Sequence, residues 1–346
     1  MKYTIAVVVI LALLIQPVSA LELDLPATPE QAELLMPDKT DTFGNDFMYI
    51  LKNAFEKMMP KLDAIVKACL QTVAVIILLS VLERISKRMK ELTQLLAPVL
   101  IGLTLLEHSV ELMQFGKDTV LELSQYGKLL LPVLTAAMAA QGGTATSAAL
   151  YTATALFSSI LSQLITKITV PFVGCYLAVS VAYCATGEDI LKRMQNLLKW
   201  FTTWSLKIVL YVFMGYISVT GIVNGSADAS AVKMTKLAIS NTVPVIGKIL
   251  SETSETILIS AQATKSTIGI YGITVLIALL AGPFIKIGAQ YIIMKLTSAC
   301  CSVLTTSRNS EMIDAFSDAA AMILSMISVM CLLLMIGVFC FMKGVS

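Results

Sequence analysis

Apolar runs follow one another along this chain, each long enough or nearly long enough to cross a bilayer. Short connectors separate them, and the basic residues are unevenly shared among those connectors. A soluble domain of this length needs a charged skin. With 57% apolar and 14% charged residues, and a mean hydropathy of +0.82, the chain has too few charges to make one. The pattern predicts an all-α, polytopic integral membrane protein with about seven or eight transmembrane helices. The net charge of +2 is too small to argue for a nucleic-acid partner.

Residues 1–20 read as a secretory signal peptide. Met1-Lys2 is a short basic start, Ile5 to Ile15 an apolar core, and Val18-Ser19-Ala20 a small-residue cleavage site. Whether it is cleaved after Ala20 or kept as an anchor, the following segment starts outside the cytoplasm. That segment, residues 21–63, is acidic and carries Pro26, Pro29, Pro37 and Pro60. Within it Phe47, Ile50, Leu51, Ala54, Phe55 and Met58 recur at helical spacing, which predicts an amphipathic helix at the outer surface.

Residues 64–128 read as a first membrane hairpin and an outer loop. Ala64 to Leu82 would rise about 28 Å as a helix, close to the hydrocarbon thickness of roughly 30 Å. The next connector holds Arg84, Lys87, Arg88 and Lys90, a basic cluster that belongs in the cytoplasm. Leu92 to about Leu106 returns outward, and Glu107 to Lys128 is an acidic outer loop. Lys192, Arg193 and Lys199 place the connector from Gly187 to Lys199 in the cytoplasm, with Trp200 and Trp204 at the interface.

Residues 129–224 and 225–346 are expected to be two parallel copies of a four-segment unit. Pro132-Val133 recurs as Pro244-Val245 and Pro171-Phe172 as Pro283-Phe284, both 112 residues later. The first copy comprises Leu129–Ala140, Ala145–Ile165, Ile168–Ala185 and Trp200–Val223. The second comprises Leu237–Leu250, Ile257–Ala281, Pro283–Cys300 and Ala319–Met342. The opening segments are short and contain proline, so they are either broken helices lining a cavity or thin tilted spans. Gln141-Gly142-Gly143-Thr144 would form the turn between two half-helices. This arrangement puts Thr305 inside and Ser226 and Ser346 outside.

No catalytic constellation is present: the sequence contains no H-E-x-x-H, P-loop, G-x-S-x-G or dinucleotide fingerprint. His108, beside Glu107 and Glu111, reads as an ordinary interfacial histidine, and the seven cysteines as small apolar fillers. No cofactor, metal site or enzymatic activity is expected. Lys67 and Lys207 lie near span ends, where they can snorkel. Lys286 is near a surface if the chain turns at Gly282-Pro283, and otherwise lies deep and must face a polar path. Gly221 and Gly225 suggest close helix packing, within the chain or in a homo-oligomer. Lys233 and Lys236 share one face of an outer amphipathic segment.

The run G-S-A-D-A, V-K, A-I-S-N and V-P-V-I-G-K-I-L-S between Gly225 and Glu252 resembles the stage III sporulation protein AE family of endospore-forming bacteria. The leader, the acidic outer segment and the polytopic remainder are similar as well. The resemblance implies a subunit of a channel or secretion-like complex in the mother-cell membrane around the forespore, needed for late forespore development. It implies as partners other stage III sporulation A-type membrane proteins, the forespore-side partner of the channel, and membrane lipid. Candidate pathway or interaction residues are Pro132, Gly142, Gly143, Asp228, Lys233, Lys236, Asn241, Pro244, Gly247 and Lys286. Two rival readings stay open. One is a self-contained secondary transporter built from parallel repeats, which is disfavoured by a scarcity of midplane charge. The other is a membrane-embedded hydrolase.

Overall fold

The computed structural model describes residues 26–37, 43–85, 87–141, 143–219, 246–304 and 307–343. Residues 1–20, Gly142, Asp228, Lys233, Lys236, Asn241 and Pro244 lie outside that set, so the leader and most of the Gly225–Glu252 motif do too. The described residues form helices and no strand, as an all-α chain requires. In order these are α1 (Glu30–Glu33), α2 (Phe43–Ile85), α3 (Lys87–Ala139) and α4 (Thr144–Leu164). A π-helical turn (Ile165–Thr169) follows, then α5 (Val170–Thr186), α6 (Asp189–Val219), α7 (Ile246–Leu304) and α8 (Ser307–Lys343).

Side-chain registers fix the direction of each helix. Ser298 donates to the Ser310 carbonyl at 2.9 Å and Ser317 to the Tyr291 carbonyl at 3.2 Å, so α7 and α8 run antiparallel. Gly116 lies against Ile323 and Gly127 against Leu334, an advance of the same length on both helices, so α3 and α8 run parallel. Tyr176 meets Asp318 and Thr154 meets Gly337, which sets the α4–α5 rod antiparallel to α8. Lys192 meets Glu311 and Lys199 meets Asp318, which sets α6 parallel to it. The α2–α3, α5–α6 and α7–α8 connections therefore lie at one end of the bundle, and the α3–α4 turn at the other. The connectors around residues 84–90 and 187–199, which charge had assigned to one side, do share an end.

Helix α8 is the central element, packed by α3, α4, α5, α6 and α7. Between apolar helices in lipid no hydrophobic force acts, so close approach and shape must hold the seam. A Cβ at Gly127 would stand 2.7 Å from Leu334, and one at Gly116 would collide with the Ile323 side chain. Hydrogen at these two positions lets α3 and α8 pack backbone to side chain.

Several expected boundaries are not found. Residues 92–140 are not a span, a loop and a half-helix, because α3 runs unbroken from Lys87 to Ala139. Its middle is helical because Leu105, Leu112, Thr119, Val120, Leu123 and Leu130 recur at helical spacing and are buried. The charged residues between Glu107 and Lys128 are exposed or half-buried. Pro132 is an exposed position within this helix and does not break it. Ala145–Ile165 and Ile168–Ala185 form one rod, Thr144–Thr186. The π turn immediately precedes Pro171, where the missing N–H would otherwise interrupt the ladder. Ile257–Ala281 and Pro283–Cys300 are likewise one helix, with Pro283 buried inside α7. Gly282-Pro283 is not a turn. The start of α7 also absorbs the end of the segment expected at Leu237–Leu250, and Gly247 falls in its first turn.

Among the described residues four helices are long and apolar enough to cross a membrane: Thr144–Thr186, Asp189–Ser218, Ser266–Ser302 and Ser310–Lys343. Those residues do not confirm the count of about seven or eight, and adjacent expected spans fuse in them. A 43-residue rod rises about 65 Å, roughly twice the hydrocarbon thickness. Ala64–Leu82 lies within α2, the 43-residue helix that also takes up the expected amphipathic segment. Of that segment's apolar residues Ile50 and Ala54 are buried, while Phe47, Leu51 and Phe55 are exposed.

Candidate functional site

Two helix starts carry matching charge patterns. On α8, Glu311, Asp314 and Asp318 fall at i, i+3 and i+7, hence on one face. On α6, Lys192, Gln195 and Lys199 do the same. Because the two helices run parallel, the faces pair rung by rung. The Lys192 ammonium lies 3.2 Å from Glu311 and that of Lys199 2.6 Å from Asp318. From α7, Lys295 reaches Asp314 at 3.0 Å and Asp318 at 3.6 Å.

Helix α5 closes the cluster. Lys192 donates to the Tyr183 hydroxyl at 3.1 Å and lies over its ring. Gln195 donates to Ser180 Oγ at 2.8 Å, and the Tyr176 hydroxyl donates to Asp318 at 3.5 Å. Gly187 brings these groups to one end. It adopts the left-handed conformation (φ 77) and donates its N–H to the Tyr183 carbonyl at 2.7 Å, ending α5 so that α6 starts two residues later.

Three lysines meet three carboxylates, so the cluster is neutral and internally satisfied. It has no nucleophile–base pair, and among the described residues no group of three His, Cys, Asp or Glu stands close enough to hold a metal. Its chemistry is that of a latch joining four helices. Single exposed pairs are worth about 0–1 kcal/mol. Asp318 is different, being the least exposed of the carboxylates and shared by Lys199, Lys295 and Tyr176. Of these residues only Lys192 and Lys199 entered the sequence reading, as topology signals. Their matched i, i+3, i+7 spacing was the signal that could have found them.

Of the sequence-predicted residues, Pro132, Gly143, Gly247 and Lys286 are described, and these four do not stand together. Pro132 and Gly143, the latter preceding α4, belong to the end away from the latch. Lys286 lies mid-helix in α7, half-buried, with its ammonium 4.3 Å from the centroid of the Phe115 ring of α3. Gly247 is elsewhere on the same helix.

A second polar feature runs along α3. By the Gly116–Ile323 and Gly127–Leu334 register, residues 112–135 lie beside Ala319–Met342, a stretch of α8 without a charged residue. The α3 stretch carries Lys117, Asp118, Glu122 and Lys128. Gln114, Asp118, Gln125 and Lys128 are exposed, and Gln114 donates to Asp118 at 2.9 Å. One oxygen of Glu122 is sheltered and has no hydrogen-bond partner among the described residues. The expected acidic outer loop is thus a charged helix face beside an apolar span.

The outer face of α6 is the reverse. Leu197, Trp200, Trp204, Tyr211, Val212 and Tyr216 are exposed, and Trp200 stacks on Trp204 with centroids 5.2 Å apart.

An all-helical bundle with four membrane-length apolar helices, latched at one end by ion pairs, is the class of protein these features define. The chain belongs to the family described as "Stage III sporulation protein AE", whose model matches residues 32–343. It is similar to the stage III sporulation protein AE of Bacillus subtilis (strain 168), with 24% identity over 219 residues. That match covers 63% of this chain and 55% of the relative, so the chain spans about half the length of the relative it matches. No solved structure matches.

Proposed function

We propose that this chain is a non-enzymatic integral membrane subunit of the sporulation channel or secretion-like complex linking mother cell and forespore. It would reside in the mother-cell membrane around the forespore and serve late forespore development. Family membership over residues 32–343 carries the reading, and the four apolar helices support its membrane setting. The latch end, with its basic connectors, is assigned to the cytoplasm. Residues 26–37, packed near Tyr271 towards the opposite end, are then extracytoplasmic and available to partner subunits. Those partners are other stage III sporulation A-type proteins and the forespore-side component.

Deleting the gene in its spore-forming host should block development after engulfment, and normal spores would sink the assignment. Reaction of Thr305→Cys with an impermeant reagent from the outer side would reverse the orientation. One observation favours the transporter reading more than the sequence did: Lys117, Asp118, Glu122 and Lys286 supply ionisable groups at the depth of the apolar spans. Solute movement by the purified chain alone in liposomes would decide for it.

A further inference from the structure

We infer that the outer face of α3, from Gln114 to Lys128, borders water at the depth of the bilayer core. This rests on the membrane-subunit reading and names the surface along which a hydrated solute would pass.

The depth follows from the register. Gly116 and Gly127 hold α3 along the uncharged part of α8, so α3 cannot be moved out of the membrane without taking α8 with it. Charges on neighbouring helices at comparable depth are single and near one margin. Lys207 of α6 and Lys167 in the π turn both lie about seven residues inside the level of Ala319, on exposed positions from which a lysine stem can snorkel out. On α3 the polar stripe does not stop at that margin. Beyond Lys117 and Asp118 it continues through Glu122 and Gln125, level with the middle of Ala319–Met342, to Lys128.

A charged side chain facing lipid near the bilayer centre costs about 2.5–3.5 kcal/mol on insertion scales. The two exposed charges, Asp118 and Lys128, would together cost up to about 5–7 kcal/mol, with the exposed amides of Gln114 and Gln125 adding to it. Lipid is therefore the wrong neighbour. A dry protein contact is also a poor fit, because protein interface cores are depleted in charge and built on aromatic and apolar anchors. Here the exposed positions are two glutamines, an aspartate and a lysine, interrupted by Leu121 and Leu129. Water satisfies both signs of charge and the amides without requiring a complementary partner.

The test is thiol accessibility of the full chain in native membranes, with the exposed Cys175 and Cys300 changed to serine. Gln125→Cys and Lys128→Cys should react with a membrane-impermeant maleimide at least about ten-fold faster than Tyr211→Cys and Tyr216→Cys, a difference of about 1.4 kcal/mol in barrier. All four should react after denaturation in detergent. Equal, slow reaction at all four positions would overturn the inference. For the unsubstituted chain, a water-soluble carbodiimide with an amine nucleophile should modify the Asp118 carboxyl in intact vesicles. Absence of that adduct counts equally against it. Neither measurement needs a sporulating cell. A reactive stripe in a chain whose deletion leaves spores normal would sink the proposed function alone, and an unreactive stripe with a sporulation block would sink this inference alone.

Discussion

Helices α3 and α6 both run parallel to α8, at overlapping depth, and they solve opposite problems. Helix α6 turns Lys192, Gln195 and Lys199 inward to α5 and α8 and presents tryptophan, tyrosine, valine and leucine outward. Helix α3 turns leucine, valine and glycine inward and presents carboxylates, amides and lysine outward. In water the first would be inside-out and the second ordinary, and in lipid the reverse holds. One molecule carrying both faces one solvent with α6 and another with α3. Burial agrees: only 17% of the apolar window of α6 lies inside the bundle, against 67% for that of α7. Lipid contact rather than protein contact is what the α6 surface is built for.

The strongest way to break this contrast is to exchange the polarity of the two faces. Val212→Asp places a carboxylate on the exposed face of α6 level with the span centre and should cost about 2.5–3.5 kcal/mol of membrane assembly. Leu121→Asp, exposed on α3 at similar depth, should stay within about 0.5 kcal/mol. Quantifying the membrane-integrated chain and its melting in detergent would read both. Similar losses at the two positions would mean that the faces see the same environment.

Next in size is the seam that fixes the depth of α3. Gly116→Leu should cost about 1–3 kcal/mol by overpacking against Ile323, and Ile323→Ala in the same chain should recover part of the loss. If the double variant is no better than the single one, the two residues are not in contact and the register is wrong. The latch comes third. Asp318→Asn leaves Lys199 and Lys295 with a neutral acceptor and should cost about 1–2 kcal/mol. Glu311→Gln, which weakens only one half-exposed pair, should cost less than about 1 kcal/mol. A lysine exchange, Lys199→Asp with Asp318→Lys, should restore part of the Asp318 loss.

Much of this molecule was legible as sequence, and the failures share a cause. Helicity and the common end of the basic connectors follow from composition and local charge. Helix continuity did not, because a window average scores charged residues as loop wherever they point. Glu107, Glu111, Asp118 and Glu122 lower the hydropathy of 107–128, yet their separations of four, seven and four residues place them on one face of a helix. Reading periodicity instead of mean hydropathy would have shown α3. Proline misled in the same way: Pro132 suggested a broken or thin segment and Gly282-Pro283 a turn, whereas α3 and α7 run past both. The latch was hidden for a different reason. Glu311 lies more than a hundred residues from Lys192, and only the parallel alignment of α6 with α8 turns two separate spacings into one set of pairs.

The smallest effect bears on how α6 is kept beside the bundle. With so little of its surface buried, α6 depends on the α5–α6 turn and on the latch to stay in register with α8. Gly187 is the one glycine with positive φ among the described residues, and its N–H ends α5 on the Tyr183 carbonyl. An L side chain there costs about 1 kcal/mol, so Gly187→Ala should lower the melting temperature modestly, and Gly187→Asn by less, since asparagine tolerates the left-handed region. The informative comparison is with Asp318→Asn. If turn and latch hold α6 together, Gly187→Ala combined with Asp318→Asn should lose more than the two single losses added, because either device alone still aligns Lys192 with Glu311. Strict additivity would mean that α6 is seated by its buried face, with Leu206, Phe213 and Ile217, and that the ion pairs merely decorate the end.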